Sequence, residues 1–333
     1  MKPRPRNPRN LRPILILGTA LLVTGCGTTS IFGPTPTEKK VTKHLADARE
    51  FRAQGLDDSS LAALSLALES NPKLTEAHMG MGEIFRERGD YALAVKSYEA
   101  AVAIEPDNFK AHYFLGLTNQ LTGDAEAAVQ TYLKALAIAP EDFLANRDIA
   151  AAYLQLGEPN TALPYARLAT SVNAESQPAW SNLAATYSLL GQYEEAIDAY
   201  RTANELGELA DPVLLGLADA HIRLGNYPRA INTLNSLIVS SPSSTAHERL
   251  GYALFKMRRF EDALDQYENA LQFDTEDIAA LNGAGACYMT LYIEGERENR
   301  FQAERAKECW RRSVQLFPNQ PRIVDLLSRY SRL

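Results

Sequence analysis

Apolar residues recur along this chain at helical spacing. Between Thr75 and Asn108, His78, Met81, Gly82 and Phe85 fall at i, i+3, i+4 and i+7, which predicts one buried face of an amphipathic helix. A second stripe, Ala94, Tyr98 and Ala101 with Val95 and Val102 beside it, predicts a partner helix. Gly89 lies between the two and predicts a left-handed stop, with Asp90 as the cap of the helix that follows. Pro106 predicts the break after it. Gly82 and Ala94 are small where the two helices approach, and Tyr98 fills the space beside them.

The hairpin repeats on a ruler. Gly55, Gly89, Gly123, Gly157, Gly191 and Gly225 are spaced by 34 residues throughout. Ala128, Ala162, Ala196, Ala230, Ala263 and Ala306 keep register with Ala94, and Ala48, Gly116, Ala150, Ala184, Ala218, Gly251 and Gly285 with Gly82. Pro72, Pro106, Pro140, Pro242 and Pro318 mark five of eight repeat ends. This period and signature resemble the tetratricopeptide repeat (TPR) family over residues 41–318. The resemblance implies an all-α fold, a right-handed superhelical solenoid of helix-turn-helix TPR pairs. Eight repeats start near Val41, Thr75, Phe109, Phe143, Gln177, Asp211, Ser244 and Ile278, and residues 319–333 form a capping helix with Ile323, Leu326 and Leu327 turned inward. Each pair is too small to bury its own apolar face, so neighbours supply the core. The seventh repeat arrives one residue early with Arg258 in the glycine position, the eighth carries an insertion near 292–302, and Pro164 predicts a kink in the fourth.

Charge narrows the function. The first 25 residues hold five bases and no acid; the remainder carries 29 basic and 41 acidic residues, a net −12. That balance argues against nucleic acid as a partner. No P-loop, zinc knuckle or nucleophile elbow is present, and no cofactor or metal is expected.

The beginning of the chain joins Lys2, Arg4, Arg6, Arg9 and Arg12 to an apolar run, Ile14–Leu17 and Ala20–Val23. The run is too short to span a bilayer and reads as a signal peptide over 1–25. Leu22-Val23-Thr24-Gly25-Cys26 resembles the lipobox of bacterial lipoproteins, with valine where leucine is commoner. The resemblance implies cleavage before Cys26, lipidation there and a membrane anchor, since several acyl chains hold firmly where one is marginal. Gly27, in place of the aspartate common in inner-membrane lipoproteins, implies a lipid-anchored protein of the bacterial cell envelope, on the outer membrane facing the periplasm. Residues 26–40 read as a flexible tether.

Several constellations mimic chemistry. His44, His78 and His112 share one position in successive repeats, with His247 and Trp180 equivalent later, so they read as packing residues. Gly80-Met81-Gly82 and Gly283-Ala284-Gly285 lie mid-helix with no preceding strand. Glu194-Glu195 and Glu261-Asp262 open second helices, where acids suit the dipole. Cys287 and Cys309 read as two free helical thiols, a disulfide being the alternative. The last 37 residues hold nine bases against four acids, either a solvated face or a surface for an anionic partner.

By resemblance, the inner faces of the first helices form a concave protein-binding groove. In the second repeat these include Met79, Glu83 and Arg86; in the third, Tyr113, Leu117, Gln120 and Leu121. Leu144, Arg147 and Leu154 follow, then Ser188 and Leu189, Leu215 and Ile222, and Tyr252 and Phe255. The groove is expected to start charged and turn apolar from the third repeat, favouring an apolar or amphipathic segment, with cover by neighbouring helices or self-association as the alternative. Glu83, Leu117, Ala151 and Ala185 stand where a carboxylate clamp of the chaperone-tail type would need asparagine, so that clamp is rejected. The leading expectation is a non-catalytic, membrane-anchored scaffold or adaptor in envelope complex assembly. The alternatives are an accessory protein of a glycosyltransferase or peptidoglycan enzyme, and a structural homo-oligomer. Replacing Cys26 with serine is expected to move the protein from the membrane pellet to the soluble fraction; unchanged sedimentation would remove the lipid anchor.

Overall fold

The computed structural model describes residues 35–331, so Cys26 and the expected signal peptide lie outside the described residues. Within them the chain is all helical: seventeen helices and no strand. Eight antiparallel hairpins pair α1 (Pro36–Ala53) with α2 (Asp57–Ser70), α3 (Thr75–Arg88) with α4 (Tyr91–Ile104), and α5 (Phe109–Leu121) with α6 (Ala125–Ile138). They continue with α7 (Phe143–Gln155) and α8 (Pro159–Val172), α9 (Gln177–Leu189) and α10 (Tyr193–Leu206), and α11 (Asp211–Arg223) and α12 (Tyr227–Ser240). The last are α13 (Ser244–Lys256) with α14 (Phe260–Phe273) and α15 (Ile278–Glu294) with α16 (Arg300–Leu316), closed by α17 (Pro321–Arg329). Each helix packs mainly on its hairpin partner and on the next hairpin, which makes the array a solenoid.

The helix starts have a common cause. Asn108, Asp142, Ser176, Ser243 and Asp277 each precede a first helix, and each side chain accepts from the backbone N–H three residues on, at 2.8–3.3 Å. Asp124 does the same for a second helix, whereas Asp90 bounds its helix without a side-chain bond, unlike the cap the sequence predicts. The ruler glycines end first helices in the left-handed region, with φ between 71° and 83°. At Gly89 this lets the N–H of Asp90 donate to the carbonyl of Phe85 at 2.8 Å, which satisfies a carbonyl the helix would otherwise leave open. In the seventh repeat Arg258 takes the same geometry, at φ 61°.

Between the helices of a hairpin, the alanines in register with Ala94 are all fully buried. Opposite them, the glycine positions admit an aromatic ring: a Cβ on Gly82 would stand 2.7 Å from Tyr98, and one on Gly116 2.7 Å from Tyr132. The missing methyl is therefore the space the tyrosine occupies.

Three irregular places bear on the sequence reading. First, α1 begins at Pro36, inside the segment read as a tether, because Thr35 and Glu38 form a reciprocal capping box and Pro36 suits a first turn. Second, α8 runs through Pro164 without interruption. Third, the insertion in the eighth repeat is taken up mostly as helix: α15 and α16 each have 17 residues against 13 or 14 elsewhere in paired helices after the first, leaving a short turn at 295–299. Its added turn buries Tyr292 on the core side, which gives the extension a packing reward. Ile323, Leu326 and Leu327 of α17, and Tyr330 just after it, cover the terminal cluster, with Tyr330 stacked on Trp310 at 6.4 Å.

Two substitutions should move stability in opposite directions. Gly116→Ala puts a methyl into the Tyr132 ring and is expected to cost about 1–3 kcal/mol. Arg258→Gly relieves a left-handed non-glycine residue and should gain about 1 kcal/mol, less the small worth of its exposed pairing with Glu294. Urea unfolding of both variants measures the pair.

Candidate functional site

The inner surface is built from first helices, and a cavity opens in it at the beginning of the array. A cavity of about 870 Å³ opens between α1, α3, α5 and the start of α7. Leu45, Met79, Phe109, Tyr113 and Leu144 give it apolar walls, and Ser60, Leu64 and Tyr98 reach it from the second helices. Arg49, Glu76, Glu83, Lys110 and Asp142 stand around it. Arg49 pairs with Glu76, and Arg52 with Asp57 and Glu87. Arg49–Glu76 and Arg52–Glu87 cross from the first hairpin to the second, whereas Arg52–Asp57 joins the two helices of the first; open to solvent in part, each is worth at most about 1 kcal/mol.

The sequence-predicted groove residues divide into three groups. Met79, Glu83, Tyr113 and Leu144 meet at the cavity, and Arg86 adjoins it with its guanidinium 5.5 Å from the Phe114 ring centre. Leu121 and Leu189 are exposed, at 47 % and 60 %, and Tyr252 is exposed with Lys256 lying over its ring. Leu117, Leu154, Leu215, Ile222 and Phe255 are half-buried and pack on the cores of their own and adjacent repeats. Thus the expectation of a groove that turns apolar from the third repeat is corrected: neighbouring helices cover much of that apolar surface, as the alternative had it, and the open apolar cavity spans the first three repeats and the start of the fourth.

Tyr113 is the clearest correction. It is 7 % exposed, and its hydroxyl donates to Oδ2 of Asp148 at 2.9 Å. Burial, with Asp148 beside it, pushes its ionisation well above the ordinary tyrosine range. Arg147 donates to the other carboxylate oxygen of Asp148 at 2.6 Å, and Asn182 donates to the Arg147 carbonyl at 3.0 Å. These residues tie the third, fourth and fifth repeats together along the inner face. Gln120 accepts from the Tyr132 hydroxyl at 3.0 Å, and the Ser188 hydroxyl has no hydrogen-bond partner.

Sequence reasoning missed Leu45, Arg49 and Arg52 of α1, and Tyr98 as a cavity residue. The ruler carried the signal for the first set: Leu45, Arg49 and Arg52 are Met79, Glu83 and Arg86 moved back one repeat. Tyr98 carried none, because its position matches a core filler.

The histidines receive a specific role. A ring nitrogen of His78 hydrogen-bonds to the Pro72 carbonyl at 3.2 Å, and one of His112 to the Pro106 carbonyl at 2.8 Å. At the same position Asn146 donates to the Pro140 carbonyl, and Trp180 to that of Ala174. Each latches the preceding inter-repeat turn, whose carbonyl has no helical partner. His247 departs from the series, bonding Gln266 at 2.8 Å. Among the described residues no group of acids, histidines and cysteines is arranged to hold a metal. Cys287 and Cys309 are both buried and unpaired, and burial pushes the Cys287 thiol up to about 12. No described helix is long and apolar enough to cross a membrane.

A stack of antiparallel helical hairpins, each packed on the next, is a helical-repeat solenoid. Family profiles confirm the class: "TPR repeat" matches residues 82–123, and "Tetratricopeptide repeat" matches 109–142, 178–205 and 215–280. The chain is a tetratricopeptide-repeat protein. No curated protein matches it. Among solved structures it is similar to PilW, described as a widely conserved type IV pilus biogenesis factor, at 22 % identity and TM-score 0.52 over 64 % of this chain and 98 % of that one. It is similar to the pilF protein of Pseudomonas aeruginosa at 18 % identity and TM-score 0.53, covering 62 % and 95 %. It is also similar to YrrB, described as a TPR protein with an unusual peptide-binding site, at 18 % identity and TM-score 0.50, covering 60 % and 100 %. At these identities the likeness is one of fold.

The far end of the inner face gives a pH test. Glu248 is buried beside Arg249, which also pairs with Asp219 at 2.7 Å. Burial raises the Glu248 carboxyl above its ordinary range, and Arg249 opposes that rise. A raised folded value favours the native state while the carboxyl is protonated, so this contribution is present below the unfolded value of about 4.3 and is lost as pH rises through the folded value. Relative to Glu248→Gln, the native protein should therefore lose stability between pH 4 and pH 7. A difference in melting temperature that stays flat over that range would contradict the assignment.

Proposed function

We propose that the chain is a membrane-tethered adaptor whose inner face binds a segment of a protein partner, in the assembly of a bacterial envelope complex. The observation that carries the binding reading is the cavity spanning the first three repeats and the start of the fourth, with apolar walls and a charged rim. Its volume lies in the range of ligand-binding clefts, and an apolar recess with a few polar groups is what a docking segment needs for anchoring and orientation. Ion pairs and the Tyr113–Asp148–Arg147 contacts hold its walls across repeats, so the surface is formed before the partner arrives, which lowers the ordering cost of association.

The anchoring reading is supported by the basic leader, the short apolar run and the Leu22–Cys26 sequence. The likeness to PilW and pilF supports an assembly role, and the likeness to YrrB supports a peptide ligand; both are carried over as fold analogy.

Crosslinking of the membrane fraction followed by mass spectrometry identifies the partner. Leu144 is 40 % exposed on the cavity wall, so Leu144→Glu is expected to leave the helical circular dichroism and melting temperature unchanged while lowering capture of that partner at least about tenfold. Undiminished capture by a folded Leu144→Glu protein would move the binding site elsewhere.

A further inference from the structure

Seven seams join the eight hairpins, and six of them are fixed by directional bonds. In those six the backbone N–H after the second helix donates to the carbonyl four residues back, at 2.7–3.0 Å. Each of the six also has a capping side chain, a latch onto the turn or an ion pair to the next hairpin. The seam between the fifth and sixth hairpins has none of these among the described residues. Gly207 closes α10 in extended backbone without a bond back into the helix, and Ala210 precedes α11 without a capping side chain. Leu214 stands where His78, His112, Asn146 and Trp180 latch the turn, and leucine has no group to bond with. The carbonyl that such a residue would take, that of Glu208, accepts instead from Gln177 Nε2 at 3.3 Å. Gln177 belongs to the fifth repeat, so this turn is tied backwards, to the hairpin it leaves.

Packing at the seam is looser as well. Ala77, Ala111, Ala145, Ala179, Ala246 and Ala280 share one register position on six first helices, and all are fully buried. In the sixth repeat that position holds Val213, a larger residue that is only half-buried. Leu214, Leu215, Leu217 and Ile222 of the same helix are half-buried too. No apolar side chain of α11 larger than alanine is fully buried, whereas α9 buries Leu183 and α13 buries Leu250 and Leu254. What crosses the seam is apolar and steric. Val213 and Leu217 pack on the Tyr200 cluster, and the Tyr200 hydroxyl lies against Gly216, where no Cβ would fit. Such contacts resist separation but fix no angle, because apolar attraction has no preferred direction and a hydrogen bond has one.

We propose that this seam is a hinge: repeats one to five and repeats six to eight turn against each other about residues 207–210, with Tyr200 on Gly216 as the pivot. Hinges are a few element-terminal residues that absorb a change of φ and ψ, and these four lack the bonds that hold those angles at the other seams. The cavity of the first repeats lies wholly on one side, and the contacts of Arg249 with Asp219 and Glu248 wholly on the other. Each half therefore keeps its own inner face while the angle between the halves changes. The motion widens or narrows the inner face at its middle, and it does so whichever partner that face binds.

The test compares two equal spans of the full chain, with Cys26→Ser, Cys287→Ala and Cys309→Ser leaving no native thiol to label. Lys96, Gln130, Asp198 and Asn232 share one register position on second helices, and all four are exposed. One labelled form has Lys96→Cys with Asp198→Cys, the other Gln130→Cys with Asn232→Cys. Each pair spans three seams, and only the second pair includes the seam at 207–210. Spin-label distance distributions are expected to be at least about twice as wide for the second pair. In the unlabelled chain, amides at 207–214 should exchange hydrogen at least about tenfold faster than their register equivalents at 173–180. Ala210→Ser with Leu214→Asn supplies the cap found at Ser176 and the latch found at Asn146, and should narrow the second distribution to the width of the first. Equal widths, or equal exchange at the two seams, would overturn the hinge. A width unchanged by Ala210→Ser with Leu214→Asn, in a variant of unaltered circular dichroism, would overturn it too.

Discussion

Everything in this molecule depends on one packing constraint: two short helices can approach closely only where one of them gives up side-chain volume. Glycine or alanine on the first helix and alanine on the second bring the backbones together, and opposite the glycines Gly82, Gly116, Gly251 and Gly285 the ring of Tyr98, Tyr132, Tyr267 or Trp310 fills what remains. The resulting hairpin still exposes an apolar face, so it is stable only against its neighbours. Core, curvature and inner surface follow from repeating that contact. The same rule explains why polar groups are so thoroughly arranged at the seams. Capping side chains satisfy helix starts, the residue in the His78 position satisfies the turn carbonyl behind it, and left-handed residues close the first helices.

Variation within the constraint creates the functional surface. Where the inner positions of adjacent repeats carry side chains that reach each other, as with Tyr113 and Asp148, the repeats are tied together. Where they carry Leu45, Met79 and Leu144, with Gly80 between, the walls stand apart and a cavity remains. Binding capacity and rigidity are thus set by the same positions, filled differently in successive repeats.

The helices were legible because their signals are local: the stripe His78–Phe85, the stop at Gly89 and the alanine series each lie within one turn or one ruler interval. The inner surface was legible as a set of positions, since register places Met79, Glu83 and Leu144 together. Exposure was not. Tyr113 is buried by a residue 35 positions away, and Leu215 and Ile222 are covered by hairpins whose separation no local pattern encodes. Tyr98 belongs at once to a core pattern and to the cavity lining, and no local pattern in the sequence distinguishes the second role. The inserted residues of the eighth repeat were visible as extra length, but their conversion into helix required Tyr292 to find a buried place.

That longer hairpin bears on a question peculiar to modular polymers, how they know where to end. A stack of equivalent units has no intrinsic length, since its last face resembles every earlier one and invites the first face of another molecule. Here α15 and α16 overhang their neighbours by about a turn, roughly 5 Å, and α17 lies across the terminal apolar cluster. Translational equivalence is broken at this end, where the apolar cluster of the last hairpin is covered from within the same chain rather than left as one more stacking face.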